Sequence, residues 1–393
     1  MKISTCATTG SDTTAALETV LAGLTVDNPG YVVVHMAAGH DADIVRAAIH
    51  QRFGPEVALH GGTSCLGVMT HTGAHITDGT GMGIAAFEDA DGDFGVGLQD
   101  LGDNPRAAAR KATMDALSSA GRDGEAPELV WLTAAPGFEE MVLAGVEDVV
   151  GRQVRIVGGS AADNTVAGDW FVFDGARTHT NGVIVSVLFP STSCQSTYQS
   201  GYAPAGKAGV VTRATGRRVY EIDNRPAREV YAEWTNHSVA AKTPKEAELI
   251  LADSTFSPLG RKDAAVADVP FYLLAHPSTA HPDNSLELFA DVDEGEELHL
   301  MTGGVASLTS RAGRVASQAR DLANAPLAGA LVVYCGGCML AVQDHMEQVA
   351  AGVNEALDGK PFLGVFTFGE QGPVLNSENR HGNLMISCVT FTA

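Results

Sequence analysis

The sequence predicts a mixed α/β fold: layered mixed sheets carrying helices, internally duplicated and divided into two domains. Three observations predict it. The chain has 393 residues, 45% of them hydrophobic and 18% charged, which is longer than one core usually holds and apolar enough to bury two. The order strand, helix, strand, glycine turn, strand recurs along it. A stretch rich in Ser, Thr, Pro and Gly, PSTSCQSTYQSGYAPAG, falls near its middle and has the composition of a linker.

The first repeat opens with YVVVHM at 31–36, a buried-strand pattern. Asp41 is placed to cap a helix over 43–53, with Ile44, Ala48 and Phe53 on one side. VALH follows and ends in the turn Gly61-Gly62-Thr63-Ser64-Cys65, and GIAAF at 83–87 is a further strand. In the second repeat Asn104 and Pro105 open a helix running to Ala120. LVWLT at 129–133 is a strand, and Phe138, Met141, Val142, Gly145, Val146 and Val149 recur at helical spacing. Gly158-Gly159-Ser160-Ala161-Ala162-Asp163-Asn164 then takes the place of the first glycine turn, before strands at 170–173 and 182–189. A looser third version starts at ALVVY, 330–334, and runs through Cys335-Gly336-Gly337-Cys338. Val342, Met346, Val349, Val353 and Leu357 mark its helix, and PFLGVFTF leads into Gly369-Glu370-Gln371-Gly372-Pro373 before a last strand, NLMISCVTF. Between the second and third versions, 210–222 reads as a hairpin, 226–234 and 311–322 as helices, and LELFADVDEGEELHLMTG as two strands joined by an acidic turn. The domains expected are 1–190 and 210–393, joined by a linker at 191–209.

The formal net charge of −22 disfavours phosphate backbones and anionic lipid heads, so neither nucleic acid nor membrane is an expected partner. Six scattered cysteines are not a disulfide framework for a chain of this size. MKISTCATTGSDTT has no apolar core, hence is not a signal peptide, and no apolar run reaches membrane length. A reducing cytoplasm is the expected location.

The paired motifs GGTS and VGGSAADN resemble the N-terminal domain of the FIST family, and 331–391, including FTFGEQGP, resembles its C-terminal domain. The resemblance implies a sensory module that binds a small ligand, an amino acid or similar, and signals to a separate partner such as a histidine kinase or a cyclic-nucleotide enzyme. Stand-alone members similar to this chain in size are described as haem-binding nitric-oxide sensors, which makes haem the implied cofactor of the alternative reading. Two motifs depart from the family. Where it often has Cys followed by Gly-Arg, this chain has Cys335-Gly336-Gly337-Cys338. Where it often has His-Asn-Gly-Thr, this chain has Arg380-His381-Gly382-Asn383. The missing Arg removes an anchor for a ligand carboxylate or phosphate.

Four groups are candidates for chemistry. The glycine turns at Gly62 and Gly159 offer the backbone N–H groups of Thr63, Ser64, Ser160 and Ala161 to an anion, with Asp163 and Asn164 beside them; the alternative is a bend between sheets. Cys335 and Cys338 at a strand-to-helix junction have the spacing of a redox pair, because a helix N-terminus lowers a thiol pKa. With His381, and with Glu370 as a fourth ligand, they are equally candidates for a metal, or for a Cys-dependent hydrolase or thiol oxidoreductase; the bland alternative is two small buried residues. Glu370 and Gln371, between glycines, suit a ligand amine or amide, and Arg380, His381 and Asn383 sit in the closing motif. Of the thirteen histidines, His35, His40, His60, His71 and His75 crowd the first repeat, and His345 and His381 lie in the C-terminal region. No CxxCH is present, so covalent haem attachment is excluded, and no axial ligand is singled out.

Overall fold

The computed structural model describes residues 1–266, 269–374 and 378–393, with only the backbone of 264–266 and 269. The repeat is threefold. Each unit lays down a strand, a helix, a second strand, a second helix, a third strand parallel to the second, and a closing strand. In the first unit these are Lys2–Thr9, Thr13–Gly23, Tyr31–Met36, Ala42–Phe53, Ala58–Thr63 and Gly81–Glu88. The second has Asp93–Asp100, Pro105–Ser119, Leu129–Ala134, Glu139–Val150, Arg155–Ser160 and Gly182–Phe189. The third has Cys194–Ser200, Val305–Ala323, Leu327–Cys335, Met346–Ala356, Phe362–Thr367 and Met385–Thr392. In every unit the closing strand lies between the first and second strands, antiparallel to both.

Each sheet is completed by a hairpin from another unit. Val172–Phe173 and Thr178–His179 extend the first sheet beside Ala58–Thr63. Glu370–Pro373 and Asn379–Gly382 extend the second beside Arg155–Ser160, and Val68–Thr70 and Gly73–His75 extend the third beside Phe362–Thr367. The exchange is cyclic and covers one edge of every sheet, which protects strands that would otherwise be open to pairing. The inner faces of the three sheets share one core, with Tyr31, Phe87, Leu129, Trp131, Leu331, Val365 and Phe391 in it. Phe87 and Phe391 meet edge to face with ring centroids 5.2 Å apart. The helices pack on the outer faces over separate cores.

Where the first two units turn within 10–12 and 101–104, the third inserts 201–304 between its first strand and first helix. The insert is a nine-stranded sheet with the helix Ala227–Trp234 and a core of its own, Val211, Ile222, Tyr231, Leu286 and Leu298 among it.

Several expectations need correction. Residues 191–209, read as a linker, hold the first strand of the third unit, Cys194–Ser200, paired with Met385–Thr392, and the start of the strand Ala203–Thr215. Polar side chains on a half-exposed strand mimic linker composition. Gly61, Gly62, Gly158 and Gly159 lie inside strands rather than in turns. They are small because neighbours press on them: a Cβ on Gly61 would enter the Phe173 ring, and one on Gly159 would strike Thr367. The two acidic-turn strands, Leu286–Leu288 and Glu297–Thr302, pair with other strands and not with each other. The helix Ala42–Phe53 buries Ala42, Val45 and Ile49 while Ile44 is exposed, so its face is turned by one residue from the expected one. No helix among the described residues is long and apolar enough to cross a membrane.

Candidate functional site

At the centre of the ring the third strands of the units end side by side, and their loops are sewn together by backbone. Cys65 N donates to Phe366 O (3.0 Å), Phe368 N to Ser160 O (3.1 Å), Ser160 N to Gly369 O (2.7 Å) and Ala162 N to Thr63 O (3.2 Å). The N–H groups of Thr63, Ser64, Ser160 and Ala161 are occupied by Phe171 O, Met36 O, Gly369 O and Ala134 O and offer nothing to an anion. The room lies beside them. A cavity of about 480 Å³ opens between the insert and the second and third units. The core contributes Glu139, Trp170, Cys335, Phe368 and Asn383, and the insert contributes Arg217, His276, Ser278, Glu287 and Phe289. A larger trough of about 1240 Å³ between the helices Val305–Ala323 and Met346–Ala356 is open to solvent and walled by one unit.

The cavity is anchored by a buried ionic cluster. Glu139 begins the helix Glu139–Val150 and is 2% exposed. Its Oε1 accepts from Ser160 Oγ (2.7 Å), and its Oε2 accepts from Arg217 Nη2 (2.6 Å). The same Nη2 reaches Glu140 Oε2 (2.9 Å), and Arg217 Nε lies 3.5 Å from Asp291 Oδ1. Burial acting alone raises the Glu139 carboxyl; the charges of His381 and Arg217 and the hydrogen bonds from Arg217 and Ser160 outweigh it and hold it down at about 2. Burial, followed by the charge of Glu140, raises Asp291. His381 places Nε2 3.2 Å from Phe289 O, while its Nδ1 is buried without a hydrogen-bond partner. His276 Nε2 hydrogen-bonds with Ser254 Oγ (2.9 Å), and burial lowers its ring to about 4, so it is neutral.

Of the residues singled out in the sequence, Cys335 and Asn383 line the cavity, and Ser160 and His381 support Glu139 from behind. The others are engaged elsewhere. Ser64 Oγ accepts from Phe366 N (2.8 Å), and Thr63 Oγ1 accepts from Phe171 N (3.2 Å). Gly62 faces Thr133 and His35, and a Cβ on Gly159 would strike Thr367. The Asp163 carboxylate accepts from the backbone N–H groups of Thr165 through Asp169 and so shapes that loop. Asn164 bridges to the first unit through Leu66 N (2.8 Å) and Gly79 O (3.0 Å). Glu370 is fully buried, its Oε1 accepting from Thr367 Oγ1 (2.9 Å) and its Oε2 from Met385 N (2.9 Å). Burial and the neighbouring Cys335 raise its carboxyl well above the usual range, so it is a neutral structural acid. Gln371 is buried in the second sheet, and Arg380 pairs with Glu378 and Asp263 at the surface.

The expected thiol activation is reversed. Cys335 caps the short helix Gly336–Ala341, yet burial, followed by the neighbouring Cys338 thiol, pushes its pKa well above the ordinary value. In the folded protein at pH 8, alkylation of Cys335 by iodoacetamide is expected to run at least about tenfold slower than in the urea-unfolded chain, as peptide mass mapping would read. Among the described residues no group of three or more His, Cys, Asp or Glu side chains is arranged to hold a metal, so Cys335, Cys338 and His381 do not form such a site. The cavity also does not fit a haem. Its lining histidine, His276, has Nε2 bonded to Ser254, its thiol is kept protonated, and its one guanidinium, which propionates would need, is bound by Glu139 and Glu140.

Sequence reasoning missed Glu139, Trp170, Arg217, His276 and Phe289. The available signals were slight: a Glu pair opening a helix, a Trp in the polar loop VAGDWF, and an Arg pair after Gly216.

The cavity thus lies between a ring of three α/β units and an inserted β domain. The chain belongs to the FIST family: the FIST N domain matches residues 30–225 and the FIST C domain residues 227–373. FIST-domain proteins are linked to sensing and signal transduction. The boundary between the two matches falls inside the insert. Uncharacterized protein Mb0898c of Mycobacterium bovis is 27% identical over 238 residues, and uncharacterized protein Rv0628c of Mycobacterium tuberculosis is 26% identical over 231. The matches span 58% of this chain and 58% of the length of these relatives. A cyanuric acid hydrolase from A. caulinodans aligns over 100% of this chain and 99% of its own at 8% identity with a TM-score of 0.37, a likeness too distant to carry an argument.

Proposed function

We propose that this chain is a cytoplasmic sensory protein that holds a small molecule, an amino acid or similar, in the cavity between insert and ring and passes the signal to a separate partner. The observation that carries the reading is the composition of the cavity wall: each side comes from a body with its own core, and Arg217 of the insert clasps Glu139 of the second unit across it. A molecule that touches both bodies favours the arrangement in which both touch it, and a partner that recognises that arrangement reads the occupancy. A histidine kinase or a cyclic-nucleotide enzyme is the partner type the family suggests. The haem-sensor alternative draws no support from the donor set, nor does the Cys-dependent enzyme from the Cys335 thiol.

Native mass spectrometry of freshly purified protein, paired with hydrogen exchange before and after dialysis, tests the reading. A small-molecule adduct is expected, and its loss should raise exchange in both 136–139 and 276–289. An adduct-free protein in which no small molecule protects both segments would refute it.

A further inference from the structure

The geometry points to a ligand class: we infer that the cavity selects a small organic cation, an ammonium on an aromatic or branched apolar body, and rejects the matching carboxylate. This rests on the cavity being the ligand seat. Three half-buried aromatic rings line it, Trp170 from the loop that Asp163 shapes, Phe368 from the end of a third-unit strand, and Phe289 from the insert. Trp170 and Phe368 stand edge to face with centroids 6.1 Å apart. A ring face attracts a cation and gains nothing from an anion. Val166, Leu251, Leu288 and Leu340 complete an apolar wall suited to the ligand's body.

The charges agree. Glu139 lines the cavity, and Glu140 and Asp291 stand behind it around the same guanidinium. Glu287 adds a carboxylate at the more exposed rim, 3.0 Å from His281 Nε2. Arg217 is the one lysine or arginine among the described lining residues, and three carboxylates already surround it. A carboxylate ligand would have to compete for that guanidinium while approaching Glu139. An ammonium would meet an excess of negative charge.

Three compounds with one apolar body isolate the charge: phenethylamine, phenylalanine and 3-phenylpropionate, titrated into the full chain by calorimetry and by tryptophan fluorescence. Phenethylamine is expected to bind at least about tenfold more tightly than 3-phenylpropionate, with phenylalanine between them. Trp170→Leu, at a half-buried position, should weaken phenethylamine about fivefold or more while leaving the fold intact by circular dichroism. Glu139→Gln should narrow the gap between amine and carboxylate, and if that variant does not fold, Trp170→Leu still decides. Equal or tighter binding of 3-phenylpropionate or phenylalanine overturns the cation inference but leaves the cavity as the seat. Absence of binding by all three up to about 10 mM overturns the cation inference as well. A Trp170-dependent response to any neutral or anionic fragment would then keep the seat, and no response at all would remove both.

Discussion

Replacing Arg217 by Met is expected to destabilise the protein by about 3–5 kcal/mol, read as a lowered urea midpoint. The size follows from what remains. Glu139, 2% exposed, would keep its hydrogen bond from Ser160 but lose the guanidinium that, with His381, offsets its burial. Glu140 and Asp291 would then face it without the central cation. An uncompensated buried carboxylate is among the most costly single defects. Combining Arg217→Met with Glu139→Gln should recover a large part of the loss, because the charge that needed a partner is gone. Since Arg217 belongs to the insert and Glu139 to the second unit, the single variant should also speed hydrogen exchange at 203–302 before the rest of the chain opens. A midpoint within about 0.5 kcal/mol of the parent would show that the cluster is solvated and does not hold the insert in place.

Acid is expected to destabilise the chain well before most carboxylates titrate. Burial lowers His35 to about 3 and His276 to about 4, and burial with the nearby His35 lowers His60 well below 6.5. Each ring is neutral in the folded protein and takes a proton when the chain unfolds. Between pH 6.5 and about 4.5 the unfolded state therefore binds more protons, and stability falls as pH falls. Glu370 opposes this: its raised carboxyl already holds a proton in the folded state, which stabilises the fold on the acid side and is lost as pH rises. These three histidines against the one glutamate contribute a slope of up to about 2.7 kcal/mol per pH unit, and His71 and His75, also lowered by burial, add to it in the same direction. Urea unfolding at pH 7.5, 6.5, 5.5 and 4.5 measures it. His35, whose ring nitrogens have no hydrogen-bond partners, is the natural control: His35→Leu should reduce the slope by about 1.4 kcal/mol per pH unit. A flat profile down to pH 5 would mean that these rings are hydrated or protonated when folded.

Much of the architecture was legible because its signals are local. The helix cap at Asn104, the apolar run 182–189 and the helical spacing of Met346, Val349 and Val353 reappear in the structure with the expected burial, while Val342 and Leu357 are buried just outside that helix. Lys2–Thr9 and Thr13–Gly23 received no assignment, since a threonine-rich strand lacks the apolar run that announces a buried one. The site was harder to read. Glu370 and the glycines stood out as unusual residues, and the structure uses them for packing and backbone pairing across units. Glu139 and Arg217, ordinary in their local sequence, are brought together from positions 78 residues apart.

The sequence by itself determined the mixed α/β class, the repeated order of elements and the family, because periodicity, caps and motif order depend on residues close together along the chain. Only the tertiary structure decided that the repeat closes into a ring of three units with exchanged hairpins, that the apparent linker is a strand, and that the cavity lies beside the glycine-bearing strand ends. Those outcomes depend on which distant surfaces exclude water from each other. Pairing, burial and the charge of a carboxylate among its neighbours are properties of that contact and have no local signature.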